Sequence, residues 1–571
     1  MSAEGGRKMK KFISLILCII FAIPSFSACS SGPKIVETLS EDLDPSCSHS
    51  FSKWEKIKDS TCTEQGRQER TCKECGGKEI RLYETVPHTE EVVKGTPATC
   101  HTTGFSDGKK CTVCGEITDN GTFLPIDQSL HKFEEITVEP TLTRSGSSKE
   151  ICTVCGFNKD GENQGPVDPT VLGLPVLNFD GSYRSATKSK PVTVKATVKG
   201  DGLNFTCYAT LKWQGNTSIR FDKKNYTVKF YKDEELTEKY KFDPFGWGKE
   251  NEYCLKANWI DATQARNVVN ARIWGQICAK RKNLDPNLKD LPNYGAIDGY
   301  PVLVYMNGEF HGMYTMNVPK DKWMFDMKND ETKRQAILMG AQWGDSSRLF
   351  EEIPEGLGVQ WEIEHCSTEN EDWVRESFNR VIRFLNTADD ETFKRDIDKY
   401  IDKEASIDFM IFVYTIGGWD NYGKNILYAT FDGKRWIPSV YDLDTSWGLY
   451  WDGTKYEDTG IGLPVVNKTQ IIYQKAKNQL FVRLLDTHKK EIVARYNELR
   501  ETVLSDKHLT EEFSGFIKEF PLLAQMAEEE NWPELPFIKT DHDKQLLDYI
   551  PKQMAKVDEF FRDVSNMKRG F

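Results

Sequence analysis

The feature that most narrows the fold of this chain is an ordered series in its second half. The run 407–416 is almost wholly apolar and stops at Gly417-Gly418, which reads as a buried segment, most simply a helix ended by glycine. Asp420 and Asn425 follow at the spacing Asp-x-x-x-x-Asn. Two β-rich runs, 426–431 and 435–441, then flank Asp432-Gly433, a hairpin signal, and Asp442-Leu-Asp444 precedes Gly448. Asp442 and Asp444 face the same way if the second run continues through them, because side chains alternate along a strand.

That series has the layout of a phosphoryl-transfer site. One carboxylate must accept the proton of the attacking hydroxyl, and an amide oxygen with further carboxylates must hold the divalent cation that neutralises nucleotide phosphates. Asp420 is the candidate base; Asn425, Asp442 and Asp444 are the candidate metal ligands. Alone, Asp-x-x-x-x-Asn is a common turn; the ordered combination is what carries the reading.

With 571 residues the chain exceeds one average domain. Lys and Arg number 75 against 87 Asp and Glu, a net charge of -12, and no basic cluster offsets it, which excludes a general nucleic-acid binder.

The first residues read as targeting. Arg7, Lys8, Lys10 and Lys11 precede an apolar run, 12–23, and Phe26-Ser27-Ala28-Cys29 places small residues before a cysteine. Residues 1–29 resemble a bacterial lipoprotein signal with Cys29 as the lipidated residue. The mature chain is then extracytoplasmic, touching the membrane only through its lipid, or is secreted. Residues 30–46 read as a polar tether.

Residues 47–160 contain three repeats with a period of roughly 40 residues. The first carries His49, Cys62, Cys72 and Cys75; the second His88, Cys100, Cys111 and Cys114; the third His131, Cys152 and Cys155. Each CxxC is followed by glycine. One His with three Cys suits tetrahedral zinc, whereas an extracytoplasmic address permits disulfides; units this small need one staple or the other. Grouped repeat by repeat, the third set lacks a ligand, because Leu142 stands where a cysteine is expected. Either staple is structural, so the repeats read as a spacer or an adhesive array.

Residues 161–175 read as a linker into the main domain, 176–571. Its first part is strand-rich, with runs at 192–198, 204–213 and 226–231. Between the last two, Gly215, Asn216, Arg220 and Lys224 form a glycine turn followed by basic side chains, which can cover and clamp phosphates. Lys256 and Asn258 precede Asp261-Ala-Thr-Gln264, a capping-box pattern that opens a helix to about Ala279 and carries Arg266-Asn267. If their role is only local, Asp261 is a cap and Arg266 lies on a solvated face. Apolar positions at helical spacing, among them Ile492, Tyr496, Leu499 and Val503, predict a helical C-terminal part.

Taken in order, Gly215-Asn-Thr-Ser, Lys224-Asn-Tyr226, Leu255-Lys-Ala-Asn258 with Asp261 and Arg266-Asn267, Tyr305-Met-Asn-Gly308…Gly312-Met-Tyr314, Asp420-Asn421…Asn425 and Asp442-Leu-Asp444…Gly448 resemble the CotH family of spore-coat-type atypical kinases. The resemblance implies an α+β, atypical protein-kinase-like domain, β-rich first and helical later, that binds ATP with Mg²⁺ or Mn²⁺ and phosphorylates Ser or Thr of a protein. It assigns Asp420 as the catalytic Asp, puts the metal-binding Asp in the Asp442/Asp444 pair, and makes 215–226 the nucleotide-binding region. Lys224 or Lys256 would meet the phosphates. Many members carry Glu shortly after Gly-x-Tyr; Val318 stands here, with Asp321 nearby.

Two functional readings follow. One is an active surface-anchored kinase. The other, motivated by Val318 and by an address where ATP is scarce, is an inactive CotH-like binding or adhesion module. Its partner would be a cell-surface component, a glycan or a polysaccharide-degrading assembly.

Overall fold

The computed structural model describes residues 33–455, 478–536 and 539–566. The signal segment and Cys29 lie outside these residues. Among the described residues, no helix is long and apolar enough to cross a membrane. The chain divides into two units, one of residues 1–136 and 149–161, the other of 137–148 and 162–571.

The first unit is built of short strands. Glu55–Lys58, Gly66–Thr71 and Lys78–Tyr83 form an antiparallel sheet, and Ile35–Glu41 adds a fourth strand beside Lys78–Tyr83. That strand corrects the expectation of a tether over 30–46: its side chains are all exposed, so it is held by backbone pairing and not by burial. In the second repeat Gly108–Cys111 pairs with Glu90–Val93 and Ile117–Asp119. Of the apolar side chains buried in this unit, Cys72, Cys100, Cys111 and Cys152 are cysteines, and Ile80 is the remaining one among the described residues. A unit with that little apolar core is not stabilised by packing alone.

The second unit opens with a closed barrel. Its strands are β1 (Val176–Asp180), β2 (Val192–Gly200), β3 (Leu203–Gln214), β4 (Asn225–Tyr231), β5 (Glu252–Lys256), β6 (Gly299–Met306) and β7 (Glu309–Asn317), in the order β1-β2-β3-β4-β5-β7-β6. β6 closes the ring by pairing in parallel with β1. Alternation gives the first strands an inward apolar face: Val194, Ala196 and Val198 of β2 and Cys207, Ala209 and Leu211 of β3 are buried. Helix α1 (Arg266–Ala279) lies in the β5–β6 connection. The expected linker is partly core, since Leu174 is buried in the same apolar cluster.

A four-stranded antiparallel sheet follows, made of β8 (Ala336–Gly340), β9 (Trp361–Cys366), β10 (Ile426–Thr430) and β11 (Ile437–Val440) in the order β9-β8-β10-β11. Helices α2 (Asp372–Thr387), α3 (Asp390–Asp396) and α4 (Lys403–Ile416) precede β10. Every residue of α4 from Ala405 to Ile416 is buried, which explains its unbroken apolar run. The C-terminal part is helical, as its periodicity predicts: α5 (Gln479–Thr487), α6 (Lys489–Arg500), α7 (Asp506–Ile517), α8 (Leu522–Asn531) and α9 (Lys539–Asn566). The protein is therefore α+β, β-rich first and helical later, behind a cysteine-rich unit. Cys207, Cys254, Cys278 and Cys366 are free thiols.

Candidate active site

Asp420 is held by the end of a buried helix. Gly417 terminates α4 in the left-handed region, φ 62°, where a side chain is disfavoured, and the amides of Gly417 and Gly418 donate back to Tyr414 and Val413 at 3.3 and 2.9 Å. The turn Trp419–Tyr422 follows directly. Asp420 Oδ1 accepts from Trp343 Nε1 at 3.2 Å and Oδ2 from Lys424 Nζ at 3.0 Å.

The hairpin expected after Asn425 is present as β10 and β11, with Ile426 opposite Val440. However, β11 ends at Val440, so strand alternation does not orient Asp442 and Asp444. Instead Asn425 and Asp442 both take left-handed backbone conformations, φ 57° and 52°. Such positions persist where the surroundings enforce them. Here the Asn421 side-chain amide donates to the carbonyls of Asn425 and Tyr441 at 3.3 and 3.1 Å. From α1, Asn267 Oδ1 accepts the Leu443 amide at 2.7 Å, and Asn270 donates to the Leu443 carbonyl at 3.2 Å.

Arg266 is correspondingly not a solvated residue. It is fully buried, ion-pairs with Asp261 and donates to the Ser446 carbonyl at 3.2 Å. Asp261 accepts the Arg266 amide at 2.8 Å, but Gln264 does not complete a capping box. Its side chain turns inward and accepts from Asn258 at 3.0 Å.

Asp420, Asn425, Asp442 and Asp444 line one cleft of about 820 Å³ together with Lys256 and Lys424. Lys256 Nζ lies 4.0 Å from Asp442 Oδ1 and 3.5 Å from the Tyr441 hydroxyl. Burial opposes its charge, yet Tyr441, Asp442 and Asp444 outweigh that and keep it protonated above the ordinary lysine range. Burial also pushes the Asp444 carboxyl up to about 8, with Asp442 adding to the shift. Among the described residues no hydrogen-bond donor meets the Asp442 or Asp444 carboxylates or the Asn425 side chain. Asp442 and Asp444 are half-buried and Asn425 is buried, and carboxylate and amide oxygens gathered in this way fit a divalent cation, which prefers such ligands and reverses the local penalty on their charge.

On the barrel side, Gly215, Asn216 and Lys256 line the cleft. Gly215 has φ +104°, and an added Cβ would lie 2.0 Å from Ser218 Oγ, so the turn needs glycine. Arg220 and Lys224 do not line this cleft. Lys224 hydrogen-bonds to the Ile219 carbonyl at 3.0 Å, sits over the Trp213 ring and borders a separate, smaller pocket. Its neighbour Lys223 reaches the cleft wall but is fully buried against Glu528 of α8.

Val318 is buried, and its amide donates to the Asp298 carbonyl at 3.0 Å. Asp321 is occupied elsewhere: it accepts from the Trp323 amide at 2.8 Å, capping the turn Lys322–Phe325. Acidic groups nearby come instead from β9, where Glu364 ion-pairs with Lys320 and Glu362 lines the cleft. Lys320, Glu362, Lys424 and Trp343 are site residues that sequence reasoning missed. Lys424 had a local signal, standing four residues after Asp420; the others reach the cleft only through tertiary packing.

The cysteine and histidine ligand types of the repeats also come together, in a register different from the expected one. Cys47, His49, Cys72 and Cys75 form one cluster, Cys62, His88, Cys111 and Cys114 a second, and Cys100, His131, Cys152 and Cys155 a third. Grouping by repeat is thus corrected, and the third set is complete. Leu142 is not a missing ligand; it is buried in the core of the second unit.

Together these features define a mixed α+β protein with a lysine-rimmed, carboxylate-rich cleft between its barrel and a helix-backed sheet. Residues 211–554, more than half of the chain, match the family described as CotH kinase protein, and the chain belongs to that family. No curated protein matches it.

Proposed function

We propose that the main domain transfers the γ-phosphoryl group of ATP to a Ser or Thr hydroxyl of a protein. The observation that carries this reading is the convergence of Asp420, Asn425, Asp442 and Asp444 on one cleft rimmed by Lys256 and Lys424. Asp420 takes the proton of the attacking hydroxyl, with Lys424 and Trp343 holding its two oxygens in place. Asn425, Asp442 and Asp444 are the residues to hold Mg²⁺ or Mn²⁺, whose charge when bound offsets that of the transferred phosphoryl group. Gly215 and Asn216 cover the nucleotide phosphates from the barrel side, and Lys256 pairs with them. An atypical kinase-like fold belongs to this reading, as does an extracytoplasmic position on a lipid carried by Cys29.

A second reading, a catalytically inactive binding module for a cell-surface or glycan partner, is favoured by one observation: Val318, at the position where the CotH resemblance implies Glu, is a buried apolar side chain. The test is transfer of labelled phosphate from ATP with Mg²⁺ or Mn²⁺, to the chain itself and to a generic Ser/Thr protein, beside Asp420→Ala and Asp442→Ala. Incorporation that both substitutions abolish supports the kinase. Absence of incorporation together with no ATP-induced thermal shift assigns the binding module.

A further inference from the structure

The cysteine-rich unit supports an inference independent of the kinase reading. We propose that the three Cys/His clusters are zinc sites staggered by one repeat, so that in the second and third the ion joins a cysteine of one repeat to the His and CxxC of the next.

The spacings are those of a metal centre. Zn–S bonds of about 2.3 Å and Zn–N bonds of about 2.0 Å at tetrahedral angles set S···S near 3.8 Å and S···N near 3.5 Å. Cys47 and Cys72 Sγ are 3.8 Å apart, as are Cys62 and Cys111 Sγ. The Cys75–His49, Cys114–His88 and Cys155–His131 Sγ–Nδ1 separations are 3.5, 3.4 and 3.4 Å. Each histidine thus turns the same nitrogen inward.

The surrounding backbone repeats the same device three times. Gly76, Gly115 and Gly156 have φ of +74°, +80° and +75° and donate to the carbonyls of Cys72, Cys111 and Cys152 at 2.9, 2.9 and 2.8 Å. The resulting knuckle turns both CxxC sulfurs toward one point. In the second site the amide of Val113 donates to Cys111 Sγ at 3.4 Å, and the Glu116 carboxylate lies 3.6 Å from the outer nitrogen of His88, where it can orient the ring.

The stagger comes from a second recurring turn. Thr61, Thr99 and Thr141 donate through their amides to the carbonyls of Glu64, Thr102 and Arg144, each at 2.9 Å. The residue after each threonine is Cys62, Cys100 and Leu142. The first two deliver sulfur to the following repeat. After the third there is no further His and CxxC, and the same turn delivers an apolar side chain to the core of the second unit. All four donors of each site come from protein, so the sites are closed and structural. They supply the stabilisation that this unit, with Ile80 as its one buried non-cysteine apolar residue among the described residues, cannot draw from packing.

The test uses the full chain purified with zinc. Metal analysis is expected to give three zinc ions per chain. Cys62→Ser is expected to leave two ions and to open Cys111 and Cys114 to alkylation while Cys72 and Cys75 stay protected; grouping by repeat would expose Cys72 and Cys75 instead. Cys62→His, which keeps a ligand, is expected to retain all three ions and so separates ligand loss from misfolding. Fewer than three ions in the parent, iron in place of zinc, disulfide-linked peptides among these cysteines, or exposure of Cys72 and Cys75 in Cys62→Ser would overturn the proposal.

Discussion

Lys424 Nζ lies 3.0 Å from Oδ2 of Asp420, four residues earlier in the chain, while Trp343 holds the other oxygen at 3.2 Å. Both carboxylate oxygens are therefore fixed before any substrate arrives. Asp420→Asn keeps the shape and removes the base, and phosphate incorporation is expected to fall about 10²–10⁴-fold. Lys424→Ala is expected to lower it at least about tenfold with the protein still folded, because it frees the Asp420 carboxylate from one of its two restraints. Initial rates at saturating ATP, with circular dichroism as the folding control, check both.

Asn267 touches the acidic loop without offering it a carboxylate: its Oδ1 accepts the Leu443 amide at 2.7 Å, between Asp442 and Asp444. Groups that orient ligands cost about 10–100-fold in metal affinity when removed. Asn267→Ala is expected to raise the Mn²⁺ concentration at half-maximal ATP-dependent thermal shift by that factor. The midpoint without ATP should change far less.

Lys223 is fully buried and ion-paired with Glu528 of α8, whose other oxygen accepts the Met313 amide of β7 at 2.8 Å. Gly312 makes room for this pair, since a Cβ there would meet Lys223 Cε and Glu528 Oε2 at 2.7 Å. Breaking one side of a buried pair strands the other charge. Glu528→Ala is expected to destabilise the domain by about 3–5 kcal/mol in denaturant unfolding. The double substitution Lys223→Met, Glu528→Leu is expected to recover most of that loss.

His311 is held neutral in the fold, its pKa lowered from 6.5 to about 3 by burial first and then by Lys223 and Arg184. Between those values the unfolded chain binds a proton that the native state does not. Stability conferred by neutral His311 is therefore present above about pH 6.5 and is lost progressively as the pH falls towards 3. Urea midpoints measured from pH 7.5 to 4.5 are expected to fall less steeply in His311→Gln than in the parent.

The acidic series was legible because its parts are local. An apolar run, two glycines, a turn, a hairpin and Asp-x-Asp follow one another within one stretch, and each has its own short-range signature. Their common orientation was not legible: it depends on left-handed backbone at Asn425 and Asp442, enforced by Asn421 nearby and by Asn267 and Asn270 of α1. The burial of Arg266 was not legible for the same reason, since its partners Ser446 and Gln545 are far along the chain.

Sequence alone determined the cysteine and histidine content of the repeats, the β-then-α order of the main domain and the acidic residues of its cleft, because residue identity and periodicity are carried locally. Tertiary structure decided which groups meet. It joins Cys62 to His88 and not to His49, turns Lys256 into the cleft and Lys224 out of it, and closes the barrel by setting β6 beside β1. These pairings are set by long-range closure and by which way each side chain leaves the backbone. Neighbours such as Lys223 and Lys224 can therefore face different surroundings, although nothing in their sequence separates them.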